Sequence, residues 1–226
     1  MGGKLIITVD GPAGTGKSTV SKILARKLSY IYLDTGALYR AFACKVAEEE
    51  IPADDEKRLS GLCAGFNVSL KSINSVIRII VDNEDVTEKI RGQDIGMLAS
   101  KISAVPVVRK TLLSIQREAG KNGGIVAEGR DMGTVVFPHA DFKFFLNANV
   151  EERSRRRFTE LAVKGENPNF EEVKRDLIIR DRQDSERKIA PLKPAKDSIA
   201  IDSTDMSITD VVEEMMKVIK ETSVFR

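Results

Sequence analysis

A glycine-rich turn near the start of the chain constrains the fold more than any other feature. The segment Gly11–Ser18 reads GPAGTGKS and fills every fixed position of the pattern G-x-x-x-x-G-K-[S/T]. An apolar run, Leu5–Val9, precedes the turn, and apolar residues at helical spacing follow it from Val20 to Leu28. The pattern therefore predicts a buried strand, a tight turn and the beginning of a helix.

This arrangement is typical of a phosphate-binding loop. Converging backbone N–H groups and the positive end of the helix dipole attract phosphate oxygens. Lys17 would contact the β- and γ-phosphates of a nucleoside triphosphate, and the Ser18 hydroxyl would bind Mg²⁺. As a loop residue, Lys17 is expected to be solvent-exposed. The predicted triphosphate-binding residues are Gly11, Pro12, Ala13, Gly14, Thr15, Gly16, Lys17, Ser18 and Thr19.

Strand and helix patterns alternate along most of the chain. Apolar strands without polar alternation, separated by helices, are typical of a parallel sheet covered on both faces. The five predicted strands are Leu5–Val9, Tyr30–Asp34, Ile125–Glu128, Phe142–Leu146 and Ile199–Asp202. Helical spacing covers residues 17–28, 36–50, 106–119, 150–163, 170–187 and 207–220. We expect an α/β fold with a five-stranded parallel core.

One stretch after the second predicted helix departs from this alternation. Phe66–Lys71 and Val76–Val81 are two short strand patterns, bounded by turn-forming residues at 72–75 and 82–84. We interpret them as an antiparallel hairpin within an insert of residues 62–100.

An alternative interpretation concerns the second of these strands. Ile79–Asp82 could be a core strand whose aspartate holds magnesium beside the P-loop. The hairpin is favoured because Asp82–Asp85 is typical of a turn and a further strand follows it at once.

Composition and charge exclude several classes of protein. The chain has 226 residues, and 36 Lys and Arg nearly balance 34 Asp and Glu, for a net charge of +2. This balance argues against nucleic acid or a membrane surface as a partner. Cys44 and Cys63 lack metal-ligand spacing, and no segment is long and apolar enough for a signal peptide or a spanning helix. We expect a cytoplasmic monomer that acts on small molecules.

Charged residues follow the second and third predicted strands. Arg40 ends the run DTGALYR, and Arg130 and Asp131 belong to the run EGRDMGT. The carboxyl ends of parallel strands meet at one edge of the sheet, where ligands bind. Two arginines beside a triphosphate site suit a phosphorylated acceptor. The alternative is a structural ion pair between Arg130 and a carboxylate such as Asp131.

An arginine-rich helix is predicted at residues 150–163. Arg153, Arg156 and Arg157 are three and four residues apart and share one face. They form either a solvated or nucleic-acid-binding face, or a lid that closes over a transferring phosphoryl group. The proximity of a P-loop favours the lid, where arginines stabilise charge in the transition state.

A further charged stripe follows in the next predicted helix. Arg180, Asp184 and Arg187 lie at positions i, i+4 and i+7. The stripe is either a surface ladder of ion pairs, which stabilises little, or a ligand-facing set of two donors and an acceptor. The sequence does not distinguish these two interpretations.

Taken together, the motifs resemble those of the bacterial cytidylate kinases over essentially the whole chain. The run GRDMGTVVFP is far more specific than the P-loop. The matching segments are Asp10–Thr19, Asp34–Arg40, Gly129–Pro138, Arg180–Arg187 and Pro191–Leu192.

The resemblance implies a P-loop nucleoside monophosphate kinase fold with three parts. These are a core of residues 1–61, 101–149 and 170–226, a CMP-binding insert at 62–100 and a short helical lid at 150–169. It also implies the reaction ATP + CMP ⇌ ADP + CDP, with dCMP as a second substrate and Mg²⁺ as cofactor.

The resemblance also implies roles for single residues. Ser100, Arg109 and Asp131 would read the cytosine. Arg180 and Asp184, with Thr35 nearby, would contact the sugar, and Arg40, Arg130 and Arg187 would hold the acceptor phosphate. The implied catalytic residues are Lys17, Arg130, Arg153, Arg156 and Arg157, and Glu128 would be an outer-sphere partner of the Mg²⁺ held by Ser18.

Two rival functions remain at this point. One is a P-loop kinase for another small acceptor, such as UMP, dTMP or shikimate. The other is a regulatory protein that binds ATP or nucleic acid through its arginine-rich helix. A GTPase switch is excluded, since neither an Asn-Lys-x-Asp nor an Asp-x-x-Gly string occurs in the chain.

Overall fold

A computed structural model describes residues 4–73 and 76–223, in which strands and helices alternate. The first half contains β1 (Ile6–Asp10), α1 (Lys17–Leu28), β2 (Ile31–Asp34), α2 (Thr35–Glu48), α3 (Glu56–Gly65), β3 (Val68–Ile73), β4 (Val76–Val81), β5 (Glu84–Asp85) and α4 (Gln93–Ile102). The second half contains α5 (Pro106–Gly120), β6 (Ile125–Gly129), β7 (Phe142–Asn147), α6 (Val150–Val163), α7 (Phe170–Glu186), β8 (Ile199–Asp202) and α8 (Ile208–Ser223).

Five of these strands form the central sheet, in the order β2-β6-β1-β7-β8. All neighbouring pairs are parallel. The predicted α/β class and parallel five-stranded core are therefore confirmed, with strand ends that differ by at most one residue from the prediction. β1 lies in the middle of the sheet, so the P-loop leaves it at the centre of the carboxyl edge.

Apolar side chains cover both faces of this sheet. On one face, α1 and α8 bury Leu24 and Met215 against Ile7 and Phe144. α8 begins with a reciprocal cap, in which Ser207 Oγ accepts from the backbone N–H of Asp210 while Asp210 accepts from that of Ser207. The other face buries β2 and β6 beneath α5 and a π-helical turn at Met132–Val136.

A second, three-stranded sheet confirms the predicted hairpin. β3 pairs antiparallel with β4, with Val68 opposite Val81, and the short β5 follows β4. Two residues of the predicted turn, at 74 and 75, lie outside the described residues. β4 is not a core strand, and Asp82 is an exposed residue that pairs with Lys45. The alternative that placed a magnesium-binding aspartate here is therefore wrong.

Two helices beside this sheet were not predicted. α3 begins at Glu56, where the Asp55 side chain accepts a hydrogen bond from the backbone N–H of Arg58. α4 begins at Gln93, directly after Gly92, without a side-chain cap. Both helices bury apolar residues against α2 and α5, including Leu59, Ala99 and Ile102.

The P-loop approaches the backbone of β7 closely at its first residue. Gly11 has φ of 148°, a conformation that L side chains rarely adopt. A methyl group at this position would overlap the carbonyl oxygen of Leu146 in β7. Glycine at position 11 is therefore required by space as well as by backbone conformation.

We expect Gly11→Ala to lower the free energy of unfolding by about 1–3 kcal/mol, since the added methyl group overpacks the interior. Urea unfolding measures this change. Gly61→Ala in α3 is the matched control, because nothing lies within 4 Å of its Cβ position. It should stabilise the protein by about 0.5–1 kcal/mol. Equal effects of the two substitutions would contradict the close approach at Gly11.

Candidate active site

The P-loop wraps around its own lysine. Lys17 is only 6% exposed, and its Nζ donates hydrogen bonds to the carbonyl oxygen of Pro12 and to Thr15 Oγ1. The expectation that Lys17 is solvent-exposed is wrong, because the side chain folds back under the loop. Burial, followed by the positive charge of Arg130, lowers the pKa of Lys17 to about 7.

Arg153 at the start of α6 ties the P-loop to α7. Its guanidinium donates to the carbonyl oxygens of Ala148 and Ala13 at 2.9 and 3.0 Å, and it forms an ion pair with Asp181. Asp181 in turn accepts from the backbone N–H of Ala13 at 3.1 Å. Arg153 is 8% exposed, so the interpretation of a solvated arginine face is wrong for this residue.

The other two predicted lid arginines lie further along the same helix. Arg156 donates to the carbonyl oxygens of Thr15 and Ser203, at 3.4 and 2.6 Å. Arg157 pairs with Glu160 at 2.8 Å and is the more exposed of the two. The first half of α6 therefore packs directly on the P-loop.

A buried carboxylate stands beside the predicted magnesium ligand. Glu128 at the carboxyl end of β6 is 4% exposed and accepts a hydrogen bond from the Tyr32 hydroxyl. The Ser18 hydroxyl lies beside both groups. Burial and the nearby charge of Asp34 raise the pKa of Glu128.

This arrangement fits a hydrated divalent cation. A cation at Ser18 would relieve the repulsion between Glu128 and Asp34, which burial makes costly. Within residues 4–73 and 76–223, no group of three or more His, Cys, Asp or Glu side chains could enclose a metal. A single hydroxyl with a carboxylate nearby suits an ion that keeps most of its water ligands, as Mg²⁺ does.

Arg130 pairs across the cleft and not with its neighbour in the sequence. Its Nε donates to Asp184 Oδ2 at 2.7 Å, so the alternative of an ion pair between Arg130 and a carboxylate is confirmed, but the partner named for it, Asp131, is wrong. Asp184 is 4% exposed. Although burial acts in the opposite direction, the charges of Arg130 and Arg180 hold the pKa of Asp184 below its usual value.

Asp131 lies between two other arginines. One oxygen accepts from Arg109 and the other from Arg187, at 3.3 Å in the second case. Both arginines also bind Ser103, Arg109 through the carbonyl oxygen and Arg187 through the hydroxyl. Burial raises the pKa of Asp131, and the two guanidinium groups oppose this shift.

Arg180 and Arg40 each have a guanidinium nitrogen that is available to donate a further hydrogen bond. The Nε atoms of both side chains are buried and have no hydrogen-bond partner among the described residues. Burial, followed by repulsion from Arg130, lowers the pKa of Arg180 to about 10. Asp184 and the Arg187 side chain are buried and Arg180 is half-buried, so the surface-ladder interpretation of this stripe is wrong. Arg40 pairs with Asp34 at 2.9 Å.

The two remaining predicted residues are hydroxyl groups with protein partners. Ser100 Oγ donates to Asp184 Oδ1 at 3.3 Å. Thr35 Oγ1 donates to the carbonyl oxygen of Glu128 at 2.7 Å, which fastens the start of α2 to the end of β6.

Positive charge accumulates where these elements meet. Arg130 and Arg180 both lower the pKa of Lys17 through their charges, and Arg40 and Arg157 act on Arg180 in the same direction. Opposing carboxylates are present, but the two buried Nε donors find no hydrogen-bond partner in the part of the chain that the structure describes. An arrangement of this kind suits more than one phosphate group.

Comparison with known proteins identifies the family. The sequence pattern of cytidylate kinases matches residues 7–221. The cytidylate kinase of Citrifermentans bemidjiense is 48% identical over 96% of this chain and 93% of its own length. That of Pasteurella multocida is 41% identical over 98% of this chain and 97% of its own. This chain belongs to the cytidylate kinase family.

Solved structures show a related fold at low sequence identity. An uncharacterized protein from Eubacterium ventriosum covers 96% of this chain and 99% of its own, with a TM-score of 0.51 and 14% identity. That likeness concerns the fold alone. In the described part of this cytidylate kinase family member, no helix has the length and apolarity needed to cross a membrane.

Four acidic or aromatic residues of this site were missed by the sequence analysis. Asp10 binds the turn after β6, and Tyr32 binds Glu128. Asp34 binds Arg40, and Asp181 binds the P-loop. Asp10 and Asp34 end strands of the core, so the strand-end argument used for Arg40 could have found them. Tyr32 and Asp181 carry no comparable signal, because their partners are distant in the sequence.

We expect MgATP binding near pH 8 to take up about 0.9 proton through Lys17, since a pKa of about 7 leaves this residue mostly neutral and phosphate restores its charge. Near pH 6 the uptake should approach zero, because Lys17 is already protonated. Calorimetry in buffers with different ionisation enthalpies measures it. Lys27→Met, at an exposed position of α1, should keep the uptake, and Lys17→Met should lose it. No uptake near pH 8 in the unsubstituted enzyme would contradict the lowered pKa.

Proposed function

We propose that this protein transfers the γ-phosphoryl group of ATP to CMP, and to dCMP, and yields ADP with CDP or dCDP. The observation that carries the proposal is the meeting of Lys17 in the P-loop with Arg130 and Arg180, whose charges repel one another in a buried cluster. Two phosphorylated ligands, bound end to end, would neutralise this cluster. Membership of the cytidylate kinase family supports CMP as the acceptor.

The donor ATP would lie along the P-loop, Gly11 to Thr19. Three glycines there have positive φ, at positions 11, 14 and 16, and leave backbone N–H groups free to approach phosphate oxygens. The Ser18 hydroxyl, with Glu128 as an outer-sphere partner, would hold Mg²⁺. When bound, this ion supplies positive charge to the β- and γ-phosphate oxygens.

The acceptor phosphate would bind to Arg40, Arg130 and Arg187. Arg40 has a buried Nε without a partner, and a phosphate oxygen is an acceptor that such a donor suits. Arg130 already binds Asp184, which keeps its guanidinium in one orientation. Arg187 donates to Asp131 and Ser103, and would exchange one of these partners on binding phosphate.

The sugar and the base of CMP would lie beyond the phosphate. Arg180 and Asp184, with Thr35 nearby, would contact the ribose or deoxyribose. The base would meet Asp131, Arg109 and Ser100. A carboxylate accepts from the cytosine amino group and a guanidinium donates to N3, whereas uracil reverses both the donor and the acceptor. A site built on these contacts rejects uracil, because its buried polar groups would lose their partners.

The chemistry of transfer requires no protein base. The acceptor phosphate oxygen is already a nucleophile, so the protein contributes position and positive charge. Lys17, Arg130, Arg153, Arg156 and Arg157 would stabilise the charge of the transferring group. Arg153 would also hold the P-loop and α7 together through its bonds to Ala13 and Asp181. Closure of α6 and the following loop would exclude water and suppress hydrolysis of ATP.

We further propose that the enzyme acts as a monomer in the cytoplasm. All the residues proposed above to bind ATP and CMP belong to one chain, which supports a monomer. Cys44 and Cys63 are free thiols, which suits a reducing compartment.

A coupled assay that measures ADP formation with CMP, dCMP, UMP, AMP and dTMP as acceptors tests the proposed function. We expect CMP and dCMP to be the preferred acceptors, and UMP to be used at least about tenfold less efficiently, since one unpaired buried polar group has a cost of this order. A preference for AMP or dTMP, or phosphorylation of none of the five, would contradict the proposal.

We expect Arg180→Met to raise KM for CMP about 100-fold and to change KM for ATP far less, because the acceptor loses a charged donor. Steady-state kinetics with each substrate varied in turn measure the two effects. Arg182→Met is the matched control in the same helix, since its side chain is 74% exposed and forms an ion pair with the exposed Glu186. It should change neither constant by more than about twofold. Equal effects of the two substitutions on KM for CMP would contradict the assignment of Arg180.

A further inference from the structure

Asp10 is a buried carboxylate whose two oxygens bind the same turn. It ends β1, directly before Gly11, and is 4% exposed. Its Oδ1 accepts from the backbone N–H of Met132 and its Oδ2 from that of Gly133, each at 2.8 Å. No ion pair within 4 Å offsets its charge among the described residues, so two neutral N–H groups are the direct partners of a buried anion.

These N–H groups begin the π-helical turn at Met132–Val136, and Asp131 occupies the position before it. An aspartate at this position ordinarily turns its side chain back and caps the first free N–H groups. Asp131 makes no such bond. Its carboxylate faces Arg109 and Arg187 instead. Asp10 therefore caps the N–H groups of this turn in place of Asp131.

Burial of the Asp10 carboxylate disfavours its charged form, and the pKa of Asp10 shows this. Burial, only partly offset by the two N–H donors, raises the pKa of Asp10 to about 6. Asp131 adds to this rise through its own charge, and Lys17 opposes it. An apolar or amide side chain would avoid the cost of the buried charge, but it would leave one or both N–H groups of the turn without an acceptor. The carboxylate at position 10 is thus retained for its two hydrogen bonds to this turn.

We propose that Asp10 is a positioning residue for base recognition, which caps the turn after β6 and thereby leaves the Asp131 carboxylate free to face the nucleobase. This inference rests on the proposed function, in which Asp131 reads cytosine. Because Asp10 also precedes the P-loop, one side chain ties the start of the ATP site to the base end of the acceptor site.

Asp10→Asn tests the inference. The amide keeps the size of the side chain but offers one acceptor, and its NH₂ group faces the second N–H donor. The uncapped N–H then competes with the arginines for Asp131. We expect the ratio of kcat/KM for CMP to that for UMP to fall about tenfold, mainly through a higher KM for CMP. A purely structural role would lower both efficiencies by the same factor and leave the ratio unchanged.

Asp141→Asn is the matched control. Asp141 Oδ2 accepts from the backbone N–H of Ile6 at 2.9 Å, at the opposite end of the same strand. Its substitution should leave the CMP to UMP ratio unchanged. Asp10→Ser provides a second variant that removes the buried charge and keeps one acceptor, and it should lower the ratio in the same direction if Asp10→Asn does not fold.

The outcomes separate the two proposals. If the unsubstituted enzyme does not prefer CMP to UMP, the proposed function fails, and base recognition through Asp10 fails with it. If it prefers CMP and the folded Asp10 variants keep that ratio, only the inference about Asp10 is overturned. A ratio that falls in the Asp10 variants but not in Asp141→Asn supports it.

Discussion

The parallel register of β1 against β6 places Asp10 opposite Gly129, and the segments that follow these two strands leave the sheet side by side. From β1 the chain enters the P-loop, and from β6 it enters the turn with Arg130 and Asp131. In this register Glu128 lies opposite Val9, so Glu128 and Asp10 point to opposite faces of the sheet, and a shift of one residue would bring them to the same face. The distance between the two ligand-binding segments is therefore set by backbone pairing in the core, before any active-site side chain contributes.

Buried charge is the second constraint on this site. Asp131 pairs with Arg109 and Arg187. Asp184 pairs with Arg130 and, at 3.9 Å, with Arg187. Removing one partner from such a group leaves another charge buried and unpaired, which is far more costly than losing an exposed ion pair. The network thus keeps the arginines in defined orientations while two of their neighbours, Arg40 and Arg180, retain free donors.

One helix connects most of the parts. α7 carries Arg180 and Asp184, which we propose to face the acceptor, and Asp181, which binds the P-loop and Arg153 of α6. Arg180 and Asp184 are one turn apart and share a face, whereas Asp181 points about 100° around the helix axis from Arg180. Movement of α6 relative to the P-loop would therefore displace α7, and with it the residues proposed to face the acceptor.

The sequence by itself determined the class of fold, the P-loop, the order of the core strands along the chain and the hairpin insert, because strand periodicity and glycine-rich turns are local signals. It also named the arginines of the site. Tertiary structure alone decided their partners: Arg130 binds Asp184, 54 residues away, and not the adjacent Asp131. The lowered pKa of Lys17 and the hydrogen bonds of Asp10 depend likewise on groups distant in the sequence. Hydrogen bonds and charge pairs of this kind follow from the three-dimensional register of the sheet, which no local pattern contains.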